Sequence, residues 1–194
     1  MFLTKTKLLI STIFLLGCSH LQNQPTHISW QERQIKLRQQ NNWAVQGSLS
    51  VTWQKKREIA NFTWHQLQNN YIINISDPLG LNTIRIISTT DRVHICQANK
   101  CFSAPTAEQL LFTQLAWDLP VSNLRYWILT LPVTSKIDTT YFDSYGRLIM
   151  LVQQGWKIKY TDFRTTKNIE VPTLIELQNK GFLFKLKIKS WKFF

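Results

Sequence analysis

Residues 43–53 read Trp-Ala-Val-Gln-Gly-Ser-Leu-Ser-Val-Thr-Trp, and their alternation is strict. Trp43, Val45, Gly47, Leu49, Val51 and Trp53 share one side of an extended chain, while Ala44, Gln46, Ser48, Ser50 and Thr52 share the other. A period of two sustained this long predicts a half-buried β-strand. The same rhythm places Ala60, Phe62 and Trp64 on one face of the next strand. Runs at 71–75 and 83–87 read as a hairpin around Asp77-Pro78-Leu79-Gly80, and "RVHICQ" continues the series. Towards the C-terminus, one hairpin is predicted to turn near Gln154-Gly155 and another at Asn179-Lys180-Gly181. In the closing strand Phe184, Leu186 and Ile188 alternate with Lys185, Lys187 and Lys189, so one face is oily and the other cationic.

Three segments break the rhythm. Residues 28–40 lack Gly and Pro and read as a helix without a clean apolar stripe, expected on the surface. "TAEQLLFTQLAW" carries Thr106 as a cap, an acid in its first turn, and Leu110, Leu111 and Leu115 as apolar positions. After Asp118-Leu119-Pro120, a helix capped by Ser122 and stopped by Pro132 is predicted, with Leu124, Trp127, Ile128 and Leu131 at i, i+3, i+4, i+7. A mainly β chain of about 11 antiparallel strands, interrupted once by two helices, has few economical solutions. The favoured one is an incomplete, half-open antiparallel β-barrel with the helices across its open side. Periodicity leaves open whether they form a lid over an apolar cavity or a plug that fills the core.

The beginning of the chain changes the picture. Lys5 and Lys7 precede an uncharged apolar stretch from Leu8 to Leu16, too short to cross a bilayer. Leu15-Leu16-Gly17-Cys18 resembles a bacterial lipobox, in which residues 1–17 are a signal peptide and Cys18 becomes the lipidated N-terminus. Ordinary cleavage near Gly17 is the alternative. Ser19 rather than Asp follows the cysteine, which in such lipoproteins implies no retention at the inner membrane. Residues 18–27 then read as a lipidated tether, and residues 28–194 as a single domain. Loss of the leader's two lysines and of no acid brings the formal charge from +12 to +10. For an exported lipoprotein, anionic lipid or an acidic protein partner suits that excess better than nucleic acid, and the sequence does not choose between those two.

Chemistry is sparse. No nucleophile elbow, zinc-protease helix, phosphate loop or dinucleotide fingerprint occurs, so neither an enzyme nor a cofactor is expected. His65 and His94 are single strand residues, His20 and His27 lie in the tether, and no metal site is expected. Cys96 and Cys101 flank a four-residue polar segment, and an oxidising compartment favours a disulfide staple there.

"NWAVQGSLSV", "NFTWHQ", "NISDPLGLNTIRI" and above all "LPVSNLRYWILTLP" resemble the LolB family, outer-membrane lipoprotein receptors of Gram-negative bacteria. The resemblance runs from Cys18 to the closing "KLKIKSW", and Pro120, Leu124, Trp127 and Leu131-Pro132 carry its most specific spacing. The chain departs from the common pattern at Thr130, where glycine is frequent, and in its Cys96/Cys101 pair. The resemblance implies a half-barrel with a helical lid and an apolar cavity. It implies a monomer anchored in the outer membrane and facing the periplasm. Such a protein takes acylated lipoproteins from the soluble carrier LolA and releases them into the inner leaflet, without nucleotide hydrolysis. The family's Pro-Leu-Gly loop, here Pro78, Leu79 and Gly80, is tied to insertion.

This reading accounts for a leucine at a turn tip, where it could otherwise fold back or stand as one more exposed apolar residue. Alternation marks Trp43, Phe62, Trp64, Ile73, Ile84, Ile86, Trp127 and Leu131 as candidates for the acyl cavity, without separating cavity wall from packed core. A lipocalin-like carrier of a small apolar ligand would share the barrel and cavity, and a structural lipoprotein would have a filled core.

Overall fold

The computed structural model describes residues 28–194, so the leader, Cys18 and the tether lie outside the described residues. Helix α1 (Trp30–Arg38) begins where Ser29 and Glu32 form a reciprocal capping box. It is shorter at both ends than the stretch its composition allowed. Leu37 and Arg33 face inward, and Arg33 pairs with the Glu170 carboxylate and donates to the Tyr145 carbonyl at 2.9 Å.

Eleven strands follow in one antiparallel sheet: β1 (Asn42–Trp53), β2 (Lys56–Leu67), β3 (Asn70–Ser76), β4 (Thr83–Ser88), β5 (Val93–Gln97), β6 (Lys100–Ala104), β7 (Ile137–Phe142), β8 (Leu148–Gln153), β9 (Trp156–Thr166), β10 (Ile169–Asn179) and β11 (Phe182–Phe193). Their spatial order is β6-β5-β4-β3-β2-β1-β11-β10-β9-β8-β7. Two meanders are thus joined where the first strand pairs with the last. β6 and β7 do not pair with each other, so the sheet stays open.

The β1–β11 seam holds the register change that the alternation could not show. Ser190 lies opposite Gln46 and Ile188 opposite Gly47, leaving Lys189 as an extra residue on β11. That single insertion shifts the phase, so Phe184, Leu186 and Ile188 before it, and Trp191 and Phe193 after it, all turn inward. Gly47 is required there, because a Cβ would stand 2.1 Å from the Lys187 carbonyl oxygen. Trp53, on the inward phase of β1, lies past the covered region, half in solvent and stacked on Phe182 at 5.5 Å.

Between β6 and β7 the chain forms α2 (Ala107–Leu115) and α3 (Val121–Trp127). Thr106 caps α2 as predicted, and Ala116, with φ +54°, ends it with bonds back to Leu111 and Phe112. Ser122 does not cap α3. Pro120 holds the cap position, and the Ser122 N–H and hydroxyl instead donate to Glu108 of α2 at 2.8 and 2.6 Å. Nor does α3 reach Pro132. It ends at Trp127, and Thr130 takes a left-handed φ of +58° while the Leu131 N–H returns to the Tyr126 carbonyl. A left-handed position is where glycine has no steric penalty, so Thr130 holds a backbone conformation that favours glycine.

Candidate functional site

The concave face of the sheet and the inner faces of α2 and α3 enclose an apolar interior. Phe62 and Trp64 of β2, Ile73 and Ile75 of β3, Ile86 of β4, Leu111 of α2, Leu124 of α3 and Phe184 of β11 all border one cavity. Its volume is about 40 Å³, room for a few water-sized groups. The two helices therefore lie close on the sheet, and the cavity is far smaller than a lid over a roomy chamber would leave.

The larger space lies at the end of the half-barrel where β1–β2, β3–β4, β5–β6 and β10–β11 turn. A groove of about 630 Å³ runs between the C-terminal turn of α2 (Phe112 to Trp117), the β1–β2 hairpin and the inner residues Ile75 and Ile84. Leu49, Ile75 and Trp117 border both groove and cavity, so the two adjoin. Trp117 stands at the junction, its ring edge-on to Phe184 at 5.9 Å.

The groove is flanked by the loop at 77–82. Gly80, at φ +74°, lets the chain reverse, and its N–H donates to the Asp77 carbonyl at 3.0 Å. The Asp77 carboxylate accepts the Leu81 N–H, the Asn82 N–H and the Asn82 side-chain amide at 3.0, 2.9 and 2.8 Å. The Asn82 amide and the adjoining backbone N–H groups hold this carboxyl below the usual aspartate value. The result is a shaped loop that turns Leu79 and Leu81 outward, 82% and 78% exposed, the most exposed large apolar side chains among the described residues.

Of the eight cavity candidates, Phe62, Trp64, Ile73 and Ile86 border the cavity and Ile84 borders the groove. Three do not. Trp127 is fully buried and donates its indole N–H to Gln153 at 3.1 Å, while Gln153 also bonds Val133 and Ser135, a polar anchor under α3. Trp43 packs on Trp64 and Trp191, and with Leu131 it backs a separate cleft of about 450 Å³ near Arg38 and Arg125. Leu49, Ile75, Leu111, Trp117, Leu124 and Phe184 were not among the candidates. Alternation had placed Leu49 and Phe184 inward, but nothing local marks Trp117. Cys96 and Cys101 stand opposite each other in the β5–β6 register and are joined by a disulfide. Among the described residues, no group of three His, Cys, Asp or Glu could hold a metal, and no helix is long and apolar enough to cross a membrane.

The family model for outer membrane lipoprotein LolB matches residues 41–191. The chain belongs to the LolB family. Among curated LolB relatives, the outer-membrane lipoprotein LolB of Nitrosococcus oceani is 34% identical over 192 residues, covering 95% of each chain. That of Coxiella burnetii is 31% identical over 190 residues, covering 94% of this chain and 90% of its own. Among solved structures, a LolA-superfamily protein from Nitrosomonas europaea superposes with a TM-score of 0.57 at 12% identity, covering 85% of this chain and 93% of its own. That likeness concerns the fold, the same open curved sheet. In LolB terms, the groove, the adjoining cavity and the loop at 77–82 are the features of this chain that call for a function.

Proposed function

We propose that this protein is an outer-membrane-anchored lipoprotein receptor. It accepts acylated lipoproteins from a LolA-like periplasmic carrier and passes them into the inner leaflet of the outer membrane. Cys18 carries the lipid that anchors it, and it works as a monomer by binding alone, with no nucleotide and no catalytic step. The observation that carries this reading is an apolar interior that adjoins a wide groove at the end where Leu79 projects.

Each buried methylene of an acyl chain contributes about 0.8 kcal/mol, so lipoproteins need an apolar shelter between membranes. The groove offers the entrance and the sheet's concave face the shelter. Because the cavity is only about 40 Å³, entering chains must displace α2 and α3 from the sheet. Tight apolar contact in the empty protein weakens net holding, because acyl chains gain only what exceeds the packing they replace. That suits a receptor that must release its cargo to a bilayer that holds it better.

The test is a handover assay. Purified carrier–lipoprotein complex is mixed with this protein, and cargo is followed by co-purification, then after addition of phospholipid vesicles. Cargo is expected on this protein first and in the vesicles afterwards. Cargo that stays on the carrier overturns the reading.

A further inference from the structure

The β5–β6 hairpin tip lies directly beside the β3–β4 loop, because Ile84 pairs with Gln97 across β4 and β5. Between the two tips is a hollow of about 650 Å³, separate from the acyl cavity and bordered by Leu81, Asn82, Thr83, Gln97, Lys100 and Phe102. Its chemistry is divided. Leu81 and Phe102, 78% and 45% exposed, form apolar walls, and Lys100 supplies an exposed cation that makes no ion pair among the described residues. No acid borders it, and the nearby Asp77 carboxylate is engaged by three donors of its own loop. Lys55, Lys56 and Arg57, on the β1–β2 hairpin of the same end, are also exposed.

The hairpin is held firmly. Cys96 and Cys101 cross-link β5 to β6 immediately behind the tip, and Phe102 stands opposite the buried Ile95, on the concave side of the sheet. A large apolar side chain on a rigid edge hairpin, next to an unpaired ammonium and polar amides, matches the boundary of a bilayer. There phosphates lie a few ångströms above hydrocarbon, and apolar groups with nearby cations bind together.

We propose that the hollow between the β3–β4 and β5–β6 tips is a phospholipid headgroup site, with Lys100 on the phosphate and Leu81 and Phe102 against the upper acyl chains. This rests on the receptor reading above and adds a second membrane-contacting tip to it. Docked so, the Leu79 loop and the mouth of the groove face the same bilayer, and released cargo has no water to cross.

The lipidated protein is reconstituted in vesicles of phosphatidylethanolamine and phosphatidylglycerol, with the photoreactive p-benzoylphenylalanine replacing Phe102, Leu81 or, at the opposite end, Tyr145. Phospholipid adducts are expected at positions 81 and 102 and not at 145. Lys100→Glu is expected to lower the yield at position 102 about fivefold, and Lys100→Arg to preserve it. No adduct at 102, a yield equal to that at 145, or indifference to Lys100→Glu overturns the proposal. Membrane-free cargo uptake from the carrier separates the two readings. A parent that takes no cargo overturns the receptor reading, whereas normal uptake with no adduct at 102 overturns the headgroup site alone.

Discussion

At the scale of single residues, the 77–82 loop shows local chemistry serving a distant purpose. Burying Leu79 would have been the favourable choice, yet Asp77 and Gly80 shape a turn that keeps it in water. Leu79→Glu places a charge where insertion into the acyl boundary would need an apolar group, at a position whose exposure of 82% leaves the fold indifferent. Thermal stability and cargo uptake should be unchanged while transfer to vesicles falls at least about tenfold; equal transfer by the variant removes the loop's role. The loop should also respond to acid. The Asp77 carboxyl is held below its ordinary value of 3.8, chiefly by the Asn82 amide, so its hold on the loop is present above that value and lost as pH falls through the lowered one. Amide exchange at Leu81 and Asn82 should therefore be slow at about pH 5 and accelerate beyond the usual base and acid trends only below 3.8. Asp77→Ala should abolish that protection throughout.

At the scale of elements, α2 and α3 are two short helices that depend on each other. α3 has seven residues and no side-chain cap of its own, and the Glu108 carboxylate of α2 takes that place. Glu108→Ala should cost about 1 kcal/mol in denaturant unfolding, comparable to loss of an N-cap. It should also raise hydrogen exchange in α3 more than in the sheet. If α3 exchanges no faster, the clasp does not hold the pair together. The strands were legible in the sequence because one covered face writes itself as alternation. β1 emerges from that signal, and the 71–75 and 83–87 pair and both C-terminal turns emerge from it together with the Pro and Gly residues between the runs. β7 does not, since Ile137–Phe142 is an edge strand with little inward burden and no clean period. The cap on α3 is not legible locally, because Ser122 satisfies the local rule while its actual acceptor lies 14 positions earlier in the chain. The site was half legible for the same reason. Alternation says which way Trp43 points, but only tertiary packing says that Trp191 and Trp64 already fill the space beside it.

At the scale of the whole molecule, an open sheet must be kept from closing on itself and from staying open to water. The β1–β11 seam, with its bulge beside Gly47, lets both meanders turn their large side chains to a common interior, and α2 and α3 cover what the unpaired edges leave exposed. The resulting interior is closely packed, and it adjoins the groove at Leu49, Ile75 and Trp117. Half-buried at the end of α2, this ring separates about 40 Å³ of cavity from about 630 Å³ of groove. Trp117→Ala removes that partition. Because the lost side chain is half-buried, destabilisation should be about 2 kcal/mol, below the range for a fully buried tryptophan. The enlarged apolar space should bind a fluorescent hydrocarbon probe about tenfold more tightly, since ~1.4 kcal/mol of packing no longer has to be displaced. Cargo should then enter readily and leave slowly, so uptake from the carrier rises while delivery to vesicles falls. Unchanged probe affinity with a normal fold would mean that groove and cavity are not one path. Opposite shifts in uptake and delivery would show that the close packing beneath the helices sets how briefly cargo is held.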